Sequence, residues 1–79
     1  MEKGALVYTT PTCPYCRLVT EFLGQKGIPY REVNIAVDHK AREEFISRGF
    51  RGVPVTVIGG EEIVGFDVPR LERAIAGLQ

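Results

Sequence analysis

Apolar side chains recur along this chain in two rhythms, and the places where one gives way to the other mark out the elements. Ala5-Leu6-Val7-Tyr8 is an unbroken apolar run, the pattern of a central strand covered on both faces. Thr9 to Thr12, with Pro11, forms a connection. From Pro14 to about Lys26 the rhythm turns helical: Leu18, Val19, Phe22 and Leu23 share a face, Pro14 suits a first turn and Gly27 suits the stop. Ile28 to Ile35, with Tyr30, Val33 and Ile35, reads as a second strand, which Pro29 pushes toward a sheet edge. Asp38 is placed to cap a second helix running to about Arg48, buried through Ala41, Phe45 and Ile46 and closed by Gly49. Val55 to Ile58 and Glu61 to Val64 flank Gly59-Gly60, a hairpin pattern. Asp67 then offers a cap to a last helix with Leu71, Ala74, Ile75 and Leu78 on one face.

The order βαβ followed by ββα predicts an α/β fold: one mixed four-stranded sheet with helices packed on both faces. With 79 residues, the chain is expected to form one domain over 1–79, because smaller pieces could not bury a useful core. Ten basic residues balance ten acidic ones, so charge advertises neither nucleic acid nor a membrane surface as partner. The apolar opening run is too short for a secretory segment or a membrane span, which points to the cytoplasm.

The chemistry concentrates in the two cysteines, Cys13-Pro14-Tyr15-Cys16. They stand where the first strand hands over to a helix, at the strand end where open α/β sheets usually place their sites. Two thiols at this spacing can close a small disulfide ring, and the free N–H groups and dipole of the helix start favour a thiolate on the outer sulfur. Cys13 is therefore expected to attack, and Cys16, one turn in, to be buried and to resolve. In a reducing cytosol such a pair is more often catalytic than structural. A zinc site is the alternative, but zinc takes four ligands and His39 is the one further soft candidate. No bound metal or organic cofactor is expected.

Tyr8 to Cys16, followed by Val53-Pro54 before a strand and Gly65-Phe66-Asp67 before the last helix, resembles the glutaredoxins over nearly the whole chain. The Pro-Tyr filling between the cysteines is the usual glutaredoxin form, and the chain has no tryptophan, unlike the thioredoxin motif. The resemblance implies the thioredoxin fold with sheet order 2-1-3-4, thiol-disulfide oxidoreductase activity, and a cis bond between Val53 and Pro54. It also implies glutathione as cosubstrate, disulfide-containing proteins as partners and a part in cell redox homeostasis; a monomer is the default expectation for a carrier that presents one dithiol to many partners. Two features depart from the pattern. Thr10 stands where glutaredoxins commonly carry a lysine. Gly49 to Pro54 and Val64-Gly65-Phe66 are similar to the NrdH-type redoxins, which thioredoxin reductase reduces and which feed electrons to ribonucleotide reductase.

A substrate site is expected around these motifs. With a cis Pro54, the backbone of Val53 would turn outward to pair with an extended substrate, and Pro54 would lie against the dithiol and exclude metal. Merely beginning an edge strand is the plainer role for Pro54. N–H groups of Gly65, Phe66 and Asp67 can receive a carboxylate such as the γ-glutamyl end of glutathione, while capping alone also explains Asp67. Phe66 reads as core or as a wall for a partner, Tyr15 as an exposed ring for a bound peptide, and Arg51 as a cation for a substrate carboxylate or plain surface. His39 is expected to be exposed and idle, and Tyr8 and Tyr30 to pack with wet tips. Competing with the glutathione-linked reading are a thioredoxin-reductase-linked redoxin, a metal or iron-sulfur carrier, and an interaction module without turnover.

Overall fold

The computed structural model describes residues 4–77; of the predicted helix face, Leu78 lies outside them. Four strands and three helices follow one another as β1 (Ala5–Thr9), α1 (Pro14–Gln25), β2 (Tyr30–Asn34), α2 (His39–Ser47), β3 (Val55–Ile58), β4 (Glu61–Val64) and α3 (Val68–Ala76). The sheet order is β2-β1-β3-β4. The first pair is parallel and the other two antiparallel, so the fold is the mixed sheet that the sequence predicts. β3 and β4 have the bounds the sequence predicts, and other element ends differ by one or two residues, most at β2, where Ile28 and Pro29 precede the ladder and Ile35 follows it.

Alternation along the strands divides the core in two. Val7, Ile58 and Ile63 pack beneath Val19 and Leu23 of α1 and Leu71, Ala74 and Ile75 of α3. Tyr8 and Val55 pack on the other face against Ala41 and Phe45 of α2, with Phe50 and Val53 at the margin. Tyr8, Phe45 and Phe50 form an aromatic group in which Tyr8 meets Phe45 edge-on at 5.4 Å between centroids. The apolar run of β1 is thus buried on both sides because the chain covers both faces of the central strand.

Helix boundaries follow local chemistry. Asp38 Oδ1 accepts the Ala41 N–H at 3.0 Å and Asp67 Oδ1 accepts that of Arg70 at 3.3 Å, each relieving an orphan donor of a first turn. Gly27 and Gly49 follow α1 and α2 at φ 72° and 87°, a conformation that a Cβ would strain. Two expected core residues are outside. Ile46 is 58% exposed and Leu18 40% exposed, because α2 turns only its Ala41–Phe45 line toward the sheet, while α1 buries Cys16 and Thr20 together with Val19 and Leu23. Tyr30 at the β2 edge is exposed, whereas Tyr8 is buried.

Candidate active site

Strand register brings the chemically marked segments to one end of the sheet. Tyr8 stands opposite Val55, and Val55 opposite Val64. The cysteines after β1, Val53-Pro54 before β3 and Gly65-Phe66-Asp67 after β4 therefore share an edge. Gly65 N–H donates to the Pro54 carbonyl at 2.8 Å, tying the last two segments together, and the Val53-Pro54 bond is cis. Gly65 holds φ 81° in that turn, a requirement for glycine.

Cys13 is the N-cap of α1, with φ −100° and ψ 106°, and its Sγ accepts the Cys16 N–H at 3.2 Å. The sulfur thus takes the place that a serine or aspartate oxygen usually fills at a helix start, and it receives a donor that would otherwise be orphaned. Cys13 is half-buried, Cys16 is 4% exposed, and both are free thiols. Burial pushes the Cys16 thiol up to about 12; the hydrogen bond with Cys13 and the charges of Cys13 and Glu32 act in the same direction, while a backbone contact at Thr10 opposes them. The two sulfurs are therefore unequal: one faces the rim, and one is held protonated in the interior.

Tyr15, between them, is 59% exposed, and Arg51 is exposed as well. Phe66 is partly buried: it packs against the α1/α3 core and meets Phe22 edge-on at 6.2 Å between centroids. That makes it first a packing residue, which fixes the turn before α3. Val53 is also partly buried, and among the described residues its N–H and C=O make no backbone hydrogen bond. His39 is exposed in the first turn of α2. No group of three or more metal-ligating side chains occurs among the described residues.

A feature that the sequence reading missed lies on the other side of α1. A cleft of about 630 Å³ opens between α1 and β2, lined by Cys13, Cys16, Arg17, Thr20, Glu32 and Asn34 together with residues 9–12 and 14. None of the expected binding residues, Tyr15, Arg51, Val53, Pro54, Gly65, Phe66 or Asp67, lines it. Its β2 wall follows from register: Glu32 pairs with Val7 and Asn34 with Thr9, which puts both on the face that α1 covers. Alternating polar positions in β2 were the available signal.

The family model for glutaredoxin matches residues 5–63. A glutaredoxin-like 8.6 kDa protein from the rubredoxin operon of Clostridium pasteurianum is 44% identical over 70 residues, covering 87% of this chain and 93% of that protein. Glutaredoxin 3 of Escherichia coli (strain K12) is 39% identical over 62 residues, covering 77% of this chain and 75% of that protein. The structure of the glutaredoxin-like NrdH-redoxin from Escherichia coli superposes with a TM-score of 0.83 at 24% identity, over 89% of this chain and 92% of that one, a likeness of fold.

Proposed function

The chain belongs to the glutaredoxin family of thiol oxidoreductases, and from that premise we propose that it reduces protein disulfides or glutathione mixed disulfides through Cys13 and Cys16. The observation that carries this reading is the inequality of the two sulfurs: a half-buried N-cap sulfur accepting a backbone N–H, with a buried thiol one turn behind it. Cys13 thiolate attacks a target disulfide, one target sulfur leaves as thiolate, and a mixed disulfide forms on Cys13. Cys16 then attacks the Cys13 sulfur, releasing the second target thiol and leaving the Cys13–Cys16 disulfide; alternatively a second thiol such as glutathione cleaves the mixed disulfide.

Around the dithiol, the unpaired backbone of Val53 supports strand-like pairing with an extended substrate. Against the sequence expectation, the Gly65 N–H is taken by the Pro54 carbonyl, so in the turn before α3 it is the N–H groups of Phe66 and Asp67 that support binding of a carboxylate, and Tyr15 and Arg51 supply an exposed ring and a cation at the rim. Glutathione is the cosubstrate of this reading, and no bound cofactor takes part.

The reductant has a second candidate. Thr10 removes the cation that would face glutathione beside the thiolate, which favours a thioredoxin reductase as electron source and ribonucleotide reductase as acceptor. NADPH consumption separates the two. The oxidised protein is offered glutathione with glutathione reductase and a small mixed disulfide, and in parallel a thioredoxin reductase. Saturable turnover in the first, abolished by Cys13→Ser, is the expected result. Turnover in the second alone assigns the chain to the redoxin branch, and turnover in neither rejects the oxidoreductase reading.

A further inference from the structure

Closing the disulfide requires Cys16 to attack as a thiolate, since the protonated sulfur is a poor nucleophile. Within the reduced site its thiol is pushed up to about 12. When Cys13 is engaged in a mixed disulfide its charge no longer opposes ionisation, but burial still does. The Cys16 proton therefore needs an acceptor at neutral pH, and the acceptor must be reachable while a target occupies Cys13.

Geometry restricts where that acceptor can be. Displacement at a sulfur runs in line, so the departing target sulfur lies on the side of Cys13 opposite Cys16. A bound target thus covers the exposed side of Cys13 and leaves the wall carrying Cys16 open. That wall is the α1/β2 cleft, whose volume of about 630 Å³ leaves room for water; a water molecule needs only about 30 Å³ of liquid volume. The charged and titratable groups lining the cleft are Cys13 at the cap, Arg17 on α1 and Glu32 on β2. β1 contributes Thr9, and among the described residues β3, β4 and α3 contribute nothing to the lining. Arg17 has no proton-accepting capacity at neutral pH. Glu32 is the one carboxylate there, and among the described residues it takes part in no ion pair.

We propose that Glu32 accepts the Cys16 proton in the resolving step, through water in the α1/β2 cleft. The inference rests on the dithiol exchange proposed above and adds a residue to it. As the Cys16 S–H proton passes to the Glu32 carboxylate, the Cys16–Cys13 sulfur bond forms. The bond from Cys13 to the target sulfur breaks, and its electron pair leaves with the target thiolate. The dithiol is oxidised, the target is reduced, and Glu32 returns the proton to solvent.

A single-turnover experiment isolates the step. Reduced protein is mixed with one equivalent of a symmetrical nitroaromatic disulfide, which releases one coloured thiolate when Cys13 attacks and a second when Cys16 closes the ring. Glu32→Gln is expected to leave the first release unchanged and to slow the second by about a hundredfold at pH 7, the lower end of the usual range for loss of a general base. The gap should narrow as pH rises toward the ionisation of Cys16 itself, where no acceptor is needed. Glu32→Asp should keep more of the second phase than Glu32→Gln. A second release in Glu32→Gln as fast as, or faster than, in the unmodified protein would overturn the proposal, because a carboxylate acting only by repulsion would have been holding Cys16 back. Equal losses in Glu32→Gln and Glu32→Asp would also overturn it, placing the effect in strand packing. Absence of the first release in the unmodified protein would reject the dithiol reading and this proposal with it.

Discussion

The division of labour between the two cysteines comes from where one turn of helix puts them. Cys13 sits outside the helical backbone as its cap and receives the Cys16 N–H, whereas the Cys16 side chain points into the sheet-facing side of α1. The spacing of Cys13 and Cys16 made this legible in the sequence, because a helix start fixes which sulfur is outermost. The cleft was not legible: Arg17, Thr20, Glu32 and Asn34 come from two elements, and only the β1/β2 register places them on one face. The raised Cys16 thiol has a measurable consequence. Its folded-state value, about 12, exceeds the ordinary 9.0, so the neutral thiol favours the folded reduced protein below pH 9, and that contribution is lost as pH rises through 12. Thiolate absorbance of the reduced protein should show Cys16 ionising well above 9, and denaturant midpoints should fall over that window less steeply in Cys16→Ser. Ionisation of Cys16 near 9 would contradict the buried environment.

At the scale of elements, alternation and caps gave the order and type of all seven, and each helix begins or ends at a residue with one local role: Asp38 and Asp67 as caps, Gly27 and Gly49 as stops. Helix burial was less readable. Ile46 and Leu18 carry the right residue type, but the rotation of a helix about its axis is set by the partner surface, and short α2 covers only one end of its sheet face. Cis Val53-Pro54 came from the family resemblance rather than from periodicity. Asp67 tests the cap and the ligand roles separately. Asp67→Ala should cost about 1 kcal/mol in urea unfolding through loss of the cap. Raised KM for a glutathione mixed disulfide, with less effect on a substrate lacking the γ-glutamyl carboxylate, would add the binding role; an unchanged unfolding midpoint would contradict the capping geometry.

For the whole molecule, the fold converges on one end of the sheet where three separated segments meet, with Tyr15, Arg51 and Val53 at a rim that the proposed function assigns to substrate and a polar cleft between α1 and β2. This arrangement suits a carrier that shows one sulfur to a partner while its second thiol stays buried against the polar cleft. Balanced charge gives no long-range steering toward one class of partner, which in the proposed function leaves selection to the rim. No described helix is long and apolar enough to cross a membrane. The claim on which everything else depends is that Cys13 is the attacking sulfur and Cys16 the resolving one. Mass spectrometry of the Cys16→Ser variant after exposure to oxidised glutathione tests it most directly: a single glutathione adduct on Cys13, absent from Cys13→Ser, is the predicted result. A Cys16→Ser variant that forms no adduct, or a Cys13→Ser variant that forms one readily on Cys16, would contradict it.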